Sequence, residues 1–148
     1  MIFSVLVSIK DIVAKGRDFP WPRPEFCPRC EGRKMWGHGF VTAYFDGFSQ
    51  EVSLRRYRCP ECKCVLRARP SDYFPRFQAS IEAIRSSITH RLQTGKWPPN
   101  TSRSRQGHWL RSLSRRACAC FGQGWANRVL EGFDLFALRG QNPICRRI

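Results

Sequence analysis

Four cysteines stand in two Cys-x-x-Cys pairs, Phe26-Cys27-Pro28-Arg29-Cys30 and Arg58-Cys59-Pro60-Glu61-Cys62. Two intervening residues let both thiolates of a pair point into one tetrahedral site, with nearby amides donating to the sulfurs. Proline after the first cysteine of each pair pre-sets the tight turn. The expectation is one structural zinc ion (Zn2+) held by Cys27, Cys30, Cys59 and Cys62. The pairs are separated by the 28 residues 31–58, a longer gap than usual, which an extended hairpin would fill. A redox-active pair would need a βαβ scaffold, and the pattern offers none. Cys64 could replace Cys62, but the symmetric pair is the preferred ligand set. His38 lies between the pairs and is read as a hairpin residue. A second metal built from Cys64, Cys118, Cys120 and Cys145 is weighed against buried, inert free thiols, and the thiols are preferred.

The second chemical signal is charge. The chain of 148 residues carries 26 Lys+Arg against 11 Asp+Glu, a formal net charge of +15. Arginine supplies 21 of these cations, and its planar fork meets phosphate or guanine with two hydrogen bonds. From Ala83 to Leu130 there is no Asp or Glu, while nine cations occur. An ordinary solvated helix surface mixes signs, so this stretch reads as a phosphate-facing footprint. The nucleic-acid-facing candidates are Arg85, Arg91, Lys96, Arg103, Arg105, His108, Arg111 and Arg115. Asn100, Thr101, Ser102, Ser104 and Gln106 are interleaved polar side chains suited to phosphate or base edges. The alternative is a basic-skinned helical bundle with no specific site.

The elements that must position these residues follow from periodicity. Residues 1–24 form an apolar lead-in, compatible with helix or strand, and a Pro-rich linker at Pro20-Trp21-Pro22-Arg23-Pro24. Residues 25–70 are read as a zinc ribbon. Phe40, Val41, Tyr44 and Phe45 precede the hairpin signal Asp46-Gly47, and Val52, Leu54 and Tyr57 then form one half-buried strand face. Val65 and Leu66 continue beyond the second pair, and residues 69–77 form a connector. Residues 71–140 are read as a helical, helix-turn-helix-like domain. Phe77, Ile81, Ile84, Ile88 and Leu92 make one helical stripe, with Ser80 as N-cap and Gly95 as stop. A second helix, about 102–121, would bury Trp109, Leu110, Leu113, Ala117 and Phe121. Its other face would present Arg103, Arg105, Arg111 and Arg115. A third helix spans about 125–138, and residues 141–148 are a tail. The fold class is therefore α+β, a ribbon of short antiparallel hairpins followed by a three-helix bundle.

No stretch reaches the ~20 apolar residues of a membrane span, and the apolar opening lacks the basic flank and cleavage site of a signal peptide. Cysteines in metal-ligand spacing suit a reducing cytoplasm. No membrane partner is expected.

The order of Cys-Pro-x-Cys, Trp36-Gly37-His38-Gly39-Phe40, an aromatic hairpin, Arg55-Arg56-Tyr57-Arg58-Cys59-Pro60-Glu61-Cys62 and Phe77-x-x-x-Ile81 resembles small bacterial zinc-ribbon proteins. These carry a helix-turn-helix behind the ribbon and are associated with insertion sequences and transposases. Gln106-Gly107-His108-Trp109-Leu110-Arg111 looks like the recognition-helix pattern of such proteins. The resemblance covers roughly residues 20–117. It implies a DNA-binding accessory or regulatory factor of transposition, with a transposase or another protein as partner. One departure is Lys63, followed by Cys64, where such ribbons place glycine.

The leading expectation is a non-enzymatic, zinc-dependent DNA-binding protein. The alternatives are a protein-interaction adaptor docking through Tyr44, Phe45 and Phe48, and an RNA-binding ribbon. Clustered carboxylates for two-metal chemistry, a Gly-rich phosphate loop and a Ser-His-Asp set are not found in the sequence.

Overall fold

A computed structural model describes residues 1–145, and the chain divides into two compact units, Met1–Ser80 and Ile81–Ile148. The fold class is α+β, with a four-stranded sheet and four α-helices among the described residues.

The apolar opening becomes both of the elements its composition permits. Ile2–Val5 forms strand β1 and Ile9–Lys15 forms helix α1, followed by a 3-10 turn at Gly16–Asp18. Strands β2 (Trp36–Ala43), β3 (Val52–Arg58) and β4 (Val65–Pro70) follow, giving the spatial order β1-β4-β3-β2. β2, β3 and β4 are antiparallel neighbours, whereas β1 joins the edge parallel to β4, with Ile2 opposite Arg67 and Val5 opposite Pro70. The lead-in is thus an edge of the same sheet that carries the second cysteine pair. The Asp46-Gly47 signal lies in the loop between β2 and β3, where Gly47 takes φ +86°.

Residues Val52 and Leu54 join Ile12, Phe45 and Tyr73 in one core cluster. Tyr57 joins another, with Val5, Cys27, Met35, Cys59, Cys64, Leu66 and Ala68. The single face expected for Val52, Leu54 and Tyr57 is therefore corrected. Strand side chains alternate, so the odd step from 54 to 57 sends Tyr57 to the opposite face. The Pro-rich segment is tied to the sheet, because the Tyr57 hydroxyl donates to the carbonyls of Trp21 (3.3 Å) and Pro22 (3.0 Å).

The second unit contains α2 (Ile81–Thr94), α3 (Arg103–Phe121) and α4 (Val129–Leu138), with a 3-10 turn at Gln123–Asn127. Ser102 caps α3, its hydroxyl accepting from the Arg105 amide at 3.3 Å. Gly95 at φ +72° follows α2, its amide donating to the Arg91 carbonyl at 2.9 Å. Ile84 and Ile88 of α2, Trp109, Leu113 and Ala117 of α3, and Phe133 and Phe136 of α4 are buried. Leu92 departs from the expected stripe, being 50% exposed in the last turn of α2. The third helix starts later than its periodicity suggests, because Trp125 belongs to the 3-10 turn and stacks against Phe121. Gly132 lets α4 approach α3 closely, since a Cβ there would lie 3.2 Å from the Ala117 methyl.

Candidate metal centre

The two cysteine pairs converge. Sγ of Cys27 lies 3.5 Å from Sγ of Cys62, Sγ of Cys30 lies 3.5 Å from Sγ of Cys59, and all four sulfurs fall within 4.8 Å of one another. A tetrahedron with metal–sulfur bonds of about 2.3 Å has edges of about 3.8 Å, which this set brackets. A disulfide would need about 2.05 Å, and all four cysteines are free. The cluster could hold one metal ion.

The chain builds the centre by making one turn twice. The Cys27 amide donates to the Gly32 carbonyl (2.8 Å), and the Glu31 amide donates to the Cys27 carbonyl (2.8 Å). In the second turn the Cys59 amide donates to the Cys64 carbonyl (2.9 Å), and the Lys63 amide donates to the Cys59 carbonyl (3.1 Å). Glu31 and Lys63 hold equivalent positions, and both take φ +61°. Lys63 therefore adopts the left-handed conformation for which glycine is the usual choice, and its Nζ donates to the Pro60 carbonyl at 2.5 Å. The amide of Arg29 also points at Sγ of Cys27, at 3.4 Å.

Cys27 and Cys59 are fully buried, Cys62 is half-buried and Cys30 is exposed, so the centre has a dry side and a wet side. Burial opposes ionisation of Cys27. The amides of Arg29 and Cys30 and the thiols of Cys62 and Cys30 outweigh it, bringing the Cys27 thiol to about 6. At Cys30 the Gly32 amide favours the thiolate, yet burial and the sulfurs of Cys59, Cys62 and Cys27 push the thiol up to about 12. The Cys27 thiolate forms readily while Cys30 resists a second charge beside it, and a divalent cation would meet that electrostatic demand.

Cys64 is not in this set. It is buried in the same core cluster, its thiol points at Sδ of Met1 (3.4 Å), and burial pushes its pKa up. His38 sits in β2 outside the group, and among the described residues no other trio of His, Cys, Asp or Glu converges in this way. Cys118, Cys120 and Cys145 are free.

The basic candidates of the second unit fall into two sets. Arg85 is committed to a two-pronged ion pair with Asp134, 2.8 Å on each prong, which ties α2 to α4. That pairing raises the arginine and holds the Asp134 carboxyl below the usual carboxylate range. Arg91 stacks over Trp97 at 5.3 Å and donates to the Gly95 carbonyl. Arg105 stacks over Trp109 at 5.2 Å. Nε2 of His108 lies 2.9 Å from the Cys145 carbonyl. Lys96, Arg103, Arg111 and Arg115 are exposed. Arg103, Arg111 and Arg115 follow the row that runs through Gly107 along α3.

Gln106, read from sequence as a nucleic-acid contact, is fully buried. It accepts from the Ser87 hydroxyl and donates to the carbonyls of Pro98 (2.9 Å) and Thr101 (2.7 Å), locking α2, the connection and α3 together. Its place beside Trp109 and Leu113 on the α3 periodicity is the signal that could have revealed this. Phe45, offered above as a docking residue, is also core, its ring meeting that of Tyr73 edge to face at 4.6 Å.

No protein-family profile, curated protein or solved structure matches the chain. No helix among the described residues is long and apolar enough to cross a membrane.

Proposed function

We propose that this chain is a non-catalytic DNA-binding protein in which one zinc ion shapes the sheet unit and α3 faces the duplex. The observation that carries the reading is the exposed row Arg103, Arg111 and Arg115 on α3, within a stretch from Ala83 to Leu130 that holds no carboxylate. Three guanidinium groups along one helix can each replace a condensed counterion on phosphate. Gly107 leaves the row flat where a backbone would approach. In this reading α2 and α3 act as a long-turn helix-turn-helix, with the N-terminal residues of α3 nearest the base edges. A metal held by four thiolates has no open position, so its role is structural. A soft, tetrahedral sulfur set selects zinc over the hard divalent cations. The motif order further supports an accessory or regulatory role in transposition.

The test is a set of DNA titrations at several salt concentrations, comparing the wild type with Arg103→Ala/Arg111→Ala/Arg115→Ala. Each lost phosphate contact lowers the salt slope by about 0.9, so the triple variant is expected to lose about 2.7. An unchanged affinity and slope would reject α3 as the contact surface.

A second reading, a protein-interaction adaptor, is favoured by three exposed rings in the sheet unit, Phe26 (57%), Trp36 (59%) and Tyr44 (58%). An RNA partner is separated from DNA by competition between duplexes of equal length.

A further inference from the structure

A face of the sheet far in sequence from α3 carries a second concentration of arginine. Arg56 of β3 and Arg67 of β4 are direct cross-strand partners. Like charges placed opposite one another on a sheet destabilise it unless something neutralises them. Arg69 follows two residues later on the same face of β4, and Arg76 arrives from the segment after β4. These four arginines line one recess of about 400 Å³, together with the apolar Ile2 and Val65. No carboxylate lines it among the described residues.

Three features mark the recess as built for an anion. Arg69 is only 5% exposed and is fixed in place, since it donates to the Phe77 carbonyl and stacks over the Phe45 ring at 4.9 Å. The Nε atoms of Arg56 and Arg69 are buried and have no hydrogen-bond partner in the structure. A buried donor left unmade is costly and is usually met by a ligand or an ordered water. Arg76 is held at φ +70°, a conformation rare for a residue with a Cβ. Such departures concentrate where a side chain must be aimed.

We propose that Arg56, Arg67, Arg69 and Arg76 form an oxyanion site that takes a phosphate group. Planar guanidinium forks bind phosphate oxygens in pairs, and four of them without a counter-carboxylate favour a multiply charged tetrahedral anion over chloride. The phosphate has two possible sources, a free phosphate compound or the backbone of a nucleic acid. The site goes beyond the α3 reading and does not depend on it.

The test uses the full, metal-loaded chain and inorganic phosphate as probe. Tm is followed with phosphate and with sodium chloride at equal ionic strength, for the wild type, Arg67→Gln and Arg67→Lys. Arg67 is exposed, so the variants are expected to fold. Phosphate is expected to raise the wild-type Tm above the chloride control. Arg67→Gln should match or exceed the wild-type Tm in phosphate-free buffer, because it removes the repulsion with Arg56. It should also weaken phosphate binding by about tenfold or more, the worth of one charge-assisted hydrogen bond. Arg67→Lys should keep part of the response.

The same proteins are then titrated with a 20-base-pair duplex at several salt concentrations. A salt slope lower by about 0.9 in Arg67→Gln assigns the site to a backbone phosphate, even if free phosphate has little effect. An unchanged slope with a lost phosphate response assigns it to a free phosphate compound, and this outcome survives if α3 binds no DNA at all. Equal responses of wild type and Arg67→Gln to phosphate, together with an unchanged slope, would overturn the proposal.

Discussion

At the scale of single residues, the metal centre depends on which sulfur sits where. Cys62 and Cys64 are two positions apart, yet Sγ of Cys62 lies 3.5 Å from Sγ of Cys27 while the buried Cys64 thiol points at Sδ of Met1. Cys62→Ser should abolish stoichiometric metal. Cys64→Ala should keep one metal per chain and cost about 1 kcal/mol from lost packing, checked by metal analysis and denaturant unfolding. Lys63 carries the left-handed turn of the second knuckle with φ +61°. A β-branched side chain is poorly tolerated there, so Lys63→Val should cost about 1–2 kcal/mol more than Lys63→Gly in the same unfolding assay. In the second unit, the Arg85–Asp134 pair holds the carboxyl down. A depressed carboxyl contributes stability that is complete above its unfolded pKa of about 3.9 and is lost as pH falls through the lower folded value. Both side chains are about half exposed, so Asp134→Asn should cost about 0.2–1 kcal/mol at neutral pH and nothing once the Asp134 carboxyl is protonated in the folded and the unfolded state alike. Unfolding at a series of pH values checks this.

At the scale of elements, α3 is both a packing element and a charged surface, and its two faces respond differently to change. Gln106 satisfies Ser87, Pro98 and Thr101 from a fully buried position. Gln106→Ala should destabilise the chain by about 2–4 kcal/mol, because a cavity opens and buried polar groups lose their partners. Gly107 is next in sequence and lies on the arginine row. Gly107→Ala should gain about 0.5–1 kcal/mol in helix propensity, since the nearest atom to the new Cβ is the flexible tip of Arg111 at 3.0 Å. Thermal denaturation followed by circular dichroism separates the two. Much of this element was legible beforehand. Of the apolar face expected for it, Trp109, Leu113 and Ala117 are buried, whereas Leu110 and Phe121 are only half-buried. Gln106 was misread because its residue type was given more weight than its place on the helical period. The hairpin around Asp46-Gly47 was equally legible, since strand alternation and turn chemistry are local. The pairing of β1 with β4 was not, because it joins Ile2 to Arg67 across most of the first unit and only the folded sheet selects it. The juxtaposition of Arg56 with Arg67 stayed hidden for the same reason. Register, not spacing, brings them together.

At the scale of the whole molecule, the centre was the part most fully written in the sequence, because two short turns of matching chemistry specify four ligands almost without reference to the fold. A metal ion held by the four sulfurs would close a loop of more than thirty residues in the sheet unit, and its removal should then unfold Met1–Ser80. A chelator is therefore expected to abolish the near-ultraviolet signal of the buried Tyr57 and Tyr73, and acid should release the metal as protons compete for the thiolates. The net charge of +15 gives the chain a long-range attraction for polyanions that screening by salt would reveal. The central claim, that these charges serve DNA, is tested most directly by one titration. Binding of a labelled random-sequence duplex to the metal-loaded protein is followed by fluorescence anisotropy at low and at physiological salt. The account predicts saturable binding whose log–log salt slope is about −2.7 or steeper, as expected for at least three phosphates neutralised by arginine. Absence of binding at low salt, or binding indifferent to salt, would contradict it.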